Sequence, residues 1–190
     1  IKSSMIGAFN AENILCATAT SNTMGVSKKA IEKGIELCRS IPGRMETFTL
    51  CSGGTALVDY AHTPDALRMA LSAIRMHMGG RLICVFGCGG DRDQGKRPLM
   101  GAVVASESDM AIVTADNPRT EKVDFINEQI VEGFGNWDAF RLIPDRGAAV
   151  LEELNSATPD DVVLIAGKGH ENTQEINGQK NVFDDRVVVK

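Results

Sequence analysis

Met110-Ala111-Ile112-Val113-Thr114-Ala115-Asp116-Asn117-Pro118-Arg119 and the later Val162-Val163-Leu164-Ile165-Ala166-Gly167-Lys168-Gly169-His170-Glu171 decide the fold of this chain. Each is a short apolar run that breaks off into polar residues. Such runs suit strands buried on both faces, and open α/β sheets place ligand-contacting residues in the loops beyond the carboxyl ends of those strands. The two loops offer a guanidinium, carboxylates, an amide and glycine backbone. That inventory fits a zwitterionic ligand better than a hydrophobic one.

Outward from these stretches the same grammar repeats. Thr47–Cys51, Ala56–Tyr60, Arg81–Phe86, Met110–Thr114, Ala139–Leu142 and Asp161–Ala166 read as strands. Pro64–Met78, Pro98–Ser106, Asp124–Gly133 and Asp145–Asn155 read as the helices between them. The alternation predicts an α/β fold, a mostly parallel sheet with helices on both faces. Thr173–Ile176 and Gln179–Phe183 flank Asn177-Gly178, a dipeptide suited to the type I′ turn of a hairpin. Upstream, Phe9 to Arg39 is helical in pattern. Ala11, Ile14, Leu15 and Thr18 recur at helical spacing, Gly25 breaks the run, and Ser27 serves as N-cap before Ile31, Ile35 and Cys38. Pro42-Gly43 closes this region and divides the chain into 1–41 and 42–190.

Composition narrows the function classes. With 43% hydrophobic and 24% charged residues among 190, the chain is globular, not disordered or fibrous. A net charge of −5 argues against a dedicated nucleic-acid binder, although a local basic cluster could hold phosphates. Cys16, Cys38, Cys51, Cys84 and Cys88 are odd in number and form no C-x-x-C pair, which points to a reducing, cytoplasmic compartment. Cys84 and Cys88 read as buried thiols ahead of a metal or redox pair. No apolar run reaches the ~18 to 20 residues of a membrane span, and Ile1-Lys2-Ser3-Ser4 is no signal peptide. The chain opens without methionine and stops at Val187-Val188-Val189-Lys190 in mid-pattern, so a segment of a longer protein is expected.

Two further segments carry chemistry. Phe86-Gly87-Cys88-Gly89-Gly90-Asp91-Arg92-Asp93-Gln94-Gly95-Lys96-Arg97-Pro98 lies between a strand and a helix, where backbone N–H groups can approach an anion. It matches neither G-x-x-x-x-G-K-[ST] nor G-x-G-x-x-G, which disfavours a dinucleotide site. A flexible loop with solvated charges is one reading. Arg92, Lys96 and Arg97 among glycines support the other, contact with a carboxylate or phosphate. In Val58-Asp59-Tyr60-Ala61-His62-Thr63-Pro64, Thr63 as N-cap and Pro64 at the first helical position are explained by helix initiation. Asp59, Tyr60 and His62 are not, and could receive a ribose and base, although a lone histidine is more often structural.

Asp59–Leu67, Gly87–Asp93, Gly95–Pro98, Asp116–Glu121 and Gly167–Glu171 together resemble, in order and spacing, the C-terminal part of the Mur ligases. Gly7–Leu15 is similar to the closing helix of that family's central ATPase domain, and Pro42–Glu46 to its crossover. The resemblance implies a Rossmann-like C-terminal domain over 42–190, preceded in 1–41 by helices from the end of the ATPase domain. Asp-Asn-Pro-Arg is similar to the sequence of members that add meso-diaminopimelate, whereas lysine-adding relatives usually differ at Arg119. Meso-diaminopimelate is a lysine with a further carboxylate, which a guanidinium would bind by a charge-assisted pair of about 1.5 to 3 kcal/mol. Lysine would leave that guanidinium unpaired.

By the same resemblance, Arg92, Asn117 and Arg119 would hold carboxylates, while Asp116, the Gly167 carbonyl and Glu171 would face ammonium groups or order the loop, with Pro118 between them. Asn13, Arg44 and Asp59 would touch ATP near adenine, phosphates and ribose. The implied reaction phosphorylates the D-glutamate γ-carboxylate of UDP-N-acetylmuramoyl-L-alanyl-D-glutamate, and the diaminopimelate amine attacks the acyl phosphate. Mg2+ would neutralise the phosphates. The family's phosphate loop, Mg2+ ligands and modified lysine are not in this sequence, so the chain alone is expected to be inactive and to depend on the rest of the same protein. No nucleic acid or membrane is expected as partner. Alternatives are a non-catalytic amino-acid or nucleotide binding module, a lysine-adding relative, or a folylpolyglutamate synthetase, whose substrate Asp116–Arg119 fits poorly.

Overall fold

A computed structural model describes residues 1–190. It holds α1 (Ala8–Thr23), α2 (Lys28–Leu37), β1 (Glu46–Thr49), β2 (Thr55–Asp59), α3 (Pro64–Arg75), β3 (Leu82–Phe86), α4 (Lys96–Glu107), β4 (Met110–Val113), α5 (Val123–Glu132), β5 (Phe140–Leu142), α6 (Arg146–Ser156), β6 (Val162–Ala166), β7 (Thr173–Ile176), β8 (Gln179–Val182) and α7 (Asp185–Val188). The six-stranded sheet runs β1-β2-β6-β3-β4-β5. Only the edge pair β1–β2 is antiparallel; β2–β6, β6–β3, β3–β4 and β4–β5 are parallel. The expected α/β architecture is therefore present, and β7–β8 form the separate antiparallel hairpin.

The two faces of the sheet bury different sets of the same strands. Leu57, Leu82, Cys84, Phe86, Ala111, Val113 and Leu164 pack against α3, α4 and α5. Val58, Ile83, Val85, Ile112, Val163 and Ile165 pack on the other side with Ala149 and Val150 of α6. A strand buried on both faces needs no polar alternation, which is why these runs are continuously apolar. Beta6 enters between β2 and β3 after a crossover through α6, so the loops leaving β2, β3, β4 and β6 open onto one end of the sheet.

Local chemistry sets the element ends. Ser27, Thr63 and Asp145 accept from Ala30, Ala66 and Ala148 backbone N–H groups, capping α2, α3 and α6. Asn177 (φ 50) and Gly178 (φ 73) both take the positive φ of a type I′ turn. The structure departs from expectation at several boundaries. Beta1 stops at Thr49 because Leu50 exchanges hydrogen bonds with Gly53 and Gly54 in a turn. Alpha4 starts at Lys96, two residues before Pro98, since the first turn of a helix tolerates a missing N–H. The terminal α7 had no sequence signature. In α1 the apolar spacing does not produce a packed face: Leu15 is 69% exposed and only Asn10 is buried.

Candidate functional site

The first cleft lies where β2 gives way to α3. It encloses about 520 Å3 and is lined by Asn13, Arg44 and Asp59 together with Phe9, Tyr60 and Met69. The structure thus joins the three residues expected to touch a nucleotide, which are spread from α1 to β2. Asp59 is buried, and its oxygens accept from Met45 N and Ala61 N, each at 2.8 Å. Burial pushes its carboxyl above the ordinary aspartate value, against the pull of those N–H groups and the Arg44 charge. Asp59 therefore clamps the crossover backbone besides lining the cleft. The Arg44 guanidinium lies 4.6 Å from the Tyr60 ring centroid, a cation–π contact that holds it at the rim. Asn13 spends one amide hydrogen on Asn10 Oδ1 at 3.4 Å.

A second cleft, of about 330 Å3, opens beyond β3, β4 and β6 and shares Tyr60 and His62 with the first. Arg92, Asp116, Asn117, Arg119, Gly167 and Glu171 all line it, with Lys96 beside them. Pro118 does not. Its carbonyl accepts from Glu121 N at 3.0 Å and would collide with any Cβ at Gly90, so it shapes the loop. His62 is held by a 2.7 Å contact between Nδ1 and the Tyr60 carbonyl, and Lys96 Nζ donates to the His62 carbonyl at 2.8 Å.

The side chains of this cleft differ in how they are supported. The Arg92 guanidinium makes only a 3.5 Å contact, to the Asp91 carbonyl, leaving its donors to the cleft. Arg119 adopts φ 51, uncommon for a residue with a side chain. Its Nη1 donates to the Gly90 carbonyl at 2.6 Å, and Glu175 lies 3.6 Å from its Nε. The β7–β8 hairpin straps the loop down through Gln174 Nε2 to Asp116 O, Glu175 N to Asn117 Oδ1, Arg119 N to Glu175 O, and Asn177 N to Arg119 O. Gly167 has φ +114, and a Cβ there would sit 2.6 Å from Asp116 Oδ2. Only glycine leaves that carboxylate room.

Three supporting residues escaped the sequence reading, and a fourth, Arg97, expected to contact an anionic ligand, is instead buried behind the cleft. Lys168, fully buried, donates to Asn117 Oδ1 and Glu171 Oε2, both at 3.1 Å, and Asn117 Nδ2 donates to the same Glu171 oxygen at 3.0 Å. Burial raises the Glu171 carboxyl, but the hydrogen bonds from Asn117 and Lys168 and the Lys168 charge outweigh it and leave the group below the ordinary glutamate value. Arg97, also buried, grips Glu121 through two nitrogens and reaches the Gly89 carbonyl at 3.2 Å, tying the glycine loop to the segment after Arg119. Arg146 pairs with Asp185 of α7 and donates to the carbonyls of Ala115 and Ala166, where the apolar runs of the two stretches quoted first pass into their polar loops. Lys168 had a signal, its place inside Gly167–Glu171. Arg146 and Asp185, 39 residues apart, had none.

Cys84 and Cys88 are buried, and burial pushes the Cys88 thiol up to about 12 and Cys84 higher still, so both are inert packing groups. No group of three or more His, Cys, Asp or Glu side chains is placed to hold a metal ion. No helix is long and apolar enough to cross a membrane.

Residues 43–169 match the family model described as Mur ligase, glutamate ligase domain. A UDP-N-acetylmuramoyl-L-alanyl-D-glutamate--2,6-diaminopimelate ligase from Alkalilimnicola ehrlichii is 45% identical over 189 residues, covering 100% of this chain and 38% of that protein. The chain therefore spans well under half the length of such relatives. A solved structure of a ligase of the same name superposes with TM-score 0.76 at 40% identity, covering 100% of this chain and 39% of the other. The structure of Escherichia coli FolC in complex with ADP superposes with TM-score 0.59 at 25% identity, over 76% of this chain and 33% of that one.

Proposed function

Because the chain belongs to the Mur ligase family, we propose that it is the amino-acid-presenting part of a ligase that joins meso-diaminopimelate to UDP-N-acetylmuramoyl-L-alanyl-D-glutamate in peptidoglycan precursor synthesis. The observation that carries this reading is the charge inventory of the second cleft. Arg92 and Arg119 meet Asp116 and Glu171 there, while the third cation of the lining, Lys96, is engaged by the His62 carbonyl; two cations and two anions are left for a ligand with two carboxylates and two ammonium groups. Asn117 keeps one amide hydrogen and Glu171 keeps Oε1 for the ligand, because their recorded bonds use the remaining atoms. Substrate held at both ends presents its amine in a fixed direction, so these residues act by orientation and by excluding other poses. Arg119 favours the dicarboxylate over lysine, which supports diaminopimelate over the lysine-adding alternative.

The first cleft fits ATP in its chemistry. Arg44 offers a guanidinium to phosphate, Asn13 retains Oδ1 and one N–H for a base edge, and Tyr60 and Phe9 give apolar walls. Bound ATP would supply the phosphoryl group that activates the acceptor carboxylate. This chain's residues would bind and orient it, and no Mg2+ cage is assembled from them. Residues 1–41 would close the central ATPase domain, a reading supported by the exposed Leu15 of α1, Met24 just after it and Leu37 of α2. Phosphoryl transfer would then belong to the rest of the protein, in the cytoplasm, and the chain alone would not ligate.

Calorimetric titration of the full-length protein, with the UDP-dipeptide and a non-hydrolysable ATP analogue present, tests the assignment. Meso-diaminopimelate should bind at least tenfold more tightly than L-lysine. A preference for lysine, or no amino-acid binding, overturns it.

A further inference from the structure

Behind the lining of the second cleft lies a cation that faces no expected ligand group. Lys168 is fully buried, and a buried ammonium is retained only where its charge and its hydrogen-bond donors are matched. Its two recorded bonds both end on residues of the proposed amino-acid clamp, Asn117 Oδ1 on the loop after β4 and Glu171 Oε2 on its own loop after β6. Asn117 Nδ2 closes the triangle onto Glu171 Oε2. The amide is also fixed as to flip, because Oδ1 accepts both Lys168 and Glu175 N. A lysine replaced by an apolar residue would release the amide to rotate and the carboxylate to turn toward water.

We propose that Lys168 is a positioning residue for the amino-acid substrate, locking Asn117 and Glu171 in register so that Glu171 Oε1 and one Asn117 N–H stay directed at the ligand. This inference rests on the cleft being an amino-acid site. Several groups act on the Glu171 charge. Lys168 and His170 lie on its own loop, Asn117 on the loop after β4, and Arg146 at the start of α6. Arg92, Lys96, Asp116, Arg119, His62 and Tyr60 face it across the cleft. Lys168 is the cation among them that bonds the carboxylate directly, so its loss should make Glu171 easier to protonate.

The test uses the full-length ligase and the variants K168M, E171Q and K168M/E171Q. K168M should raise the KM for meso-diaminopimelate at least tenfold while leaving the KM values for ATP and UDP-dipeptide within twofold, and should shift the acid limb of the diaminopimelate KM profile to higher pH. A merely structural lysine would move all three KM values together and leave that limb in place. In the double variant, K168M should add less than threefold to the effect of E171Q, and full multiplication of the two effects would refute action through Glu171. If K168M does not fold, K168Q takes its place under the same criteria. A rise confined to the diaminopimelate KM supports the inference, and unchanged or uniformly raised KM values overturn it. Failure of the wild type to bind diaminopimelate at all would instead sink the functional reading, whereas normal wild-type binding with an unchanged K168M sinks only the role of Lys168.

Discussion

Arg119 and Gly167 show how single positions shape the second cleft. The left-handed backbone of Arg119, φ 51, is maintained by hydrogen bonds on both sides of the residue, to Glu175 O and from Asn177 N. Strain over-determined in this way commonly marks a functional position. Arg119→Ala removes the guanidinium and keeps those backbone bonds. Affinity of the full-length protein for meso-diaminopimelate should fall roughly 10- to 150-fold, the equivalent of about 1.5 to 3 kcal/mol for a charge-assisted bond, with L-lysine affinity within about threefold. Calorimetry with both ligands checks this, and an unaltered preference would remove Arg119 as its cause. Gly167→Ala should be worse for function than for stability. Its Cβ, 2.6 Å from Asp116 Oδ2, would displace a carboxylate of the proposed clamp while the strand behind it stays packed. Diaminopimelate binding should be lost by at least tenfold with the thermal midpoint lowered by only a few degrees.

Elements are held together by charges that the sequence did not advertise. Alpha7 docks through the buried pair Arg146–Asp185, and the same guanidinium bonds the carbonyls at the ends of β4 and β6. Asp185→Asn leaves Arg146 buried without a counter-ion and should cost about 3 to 5 kcal/mol in denaturant unfolding. An Arg146→Met, Asp185→Leu double variant should recover much of that stability but not the substrate affinity, because the two loop ends lose their common donor. At the opposite end of β6, Arg81 and the Thr158 N–H hold the Asp161 carboxyl well below the ordinary aspartate value. The folded value is depressed, so this contribution is complete above the unfolded value near 3.9 and is lost as pH falls through the folded one. Unfolding free energy of Asp161→Asn should therefore decline less steeply below pH 4 than that of the wild type. Periodicity made the strands legible because a doubly buried strand must be apolar throughout, and caps such as Ser27 and Thr63 are local. Long-range pairs leave no local trace, and the apolar spacing of α1 predicts the helix but not what it packs against, for Leu15 lies exposed. In the cleft, Arg92, Asp116, Asn117, Arg119, Gly167 and Glu171 were legible as loop residues after strands, while the bracing by Lys168 and Arg97 depends on contacts between loops.

At the scale of the whole molecule the two clefts are neighbours joined by backbone. Tyr60 and His62 line both, and the Gly43 crossover presses directly on the loop that follows β6. Gly43 has φ +65, and a Cβ there would collide with Gly169 C and His170 N, while a Cβ at Gly169 would stand 2.7 Å from the Gly43 carbonyl and from Tyr60 Cβ. Neither chain can yield without moving Arg44 on one side or Glu171 on the other, since each lies within two residues of the contact. A ligase that passes an activated carboxylate to an amine needs its two ligands held in a fixed relation, and a tight backbone seam supplies one. Gly43→Ala should therefore weaken both ligands of the proposed enzyme, in contrast to Arg119→Ala, which should affect only diaminopimelate. Separate titrations of the full-length variant with an ATP analogue and with meso-diaminopimelate should each show at least a fivefold loss. A loss confined to the nucleotide would mean that the seam is only packing and that the clefts are held in register by some other contact.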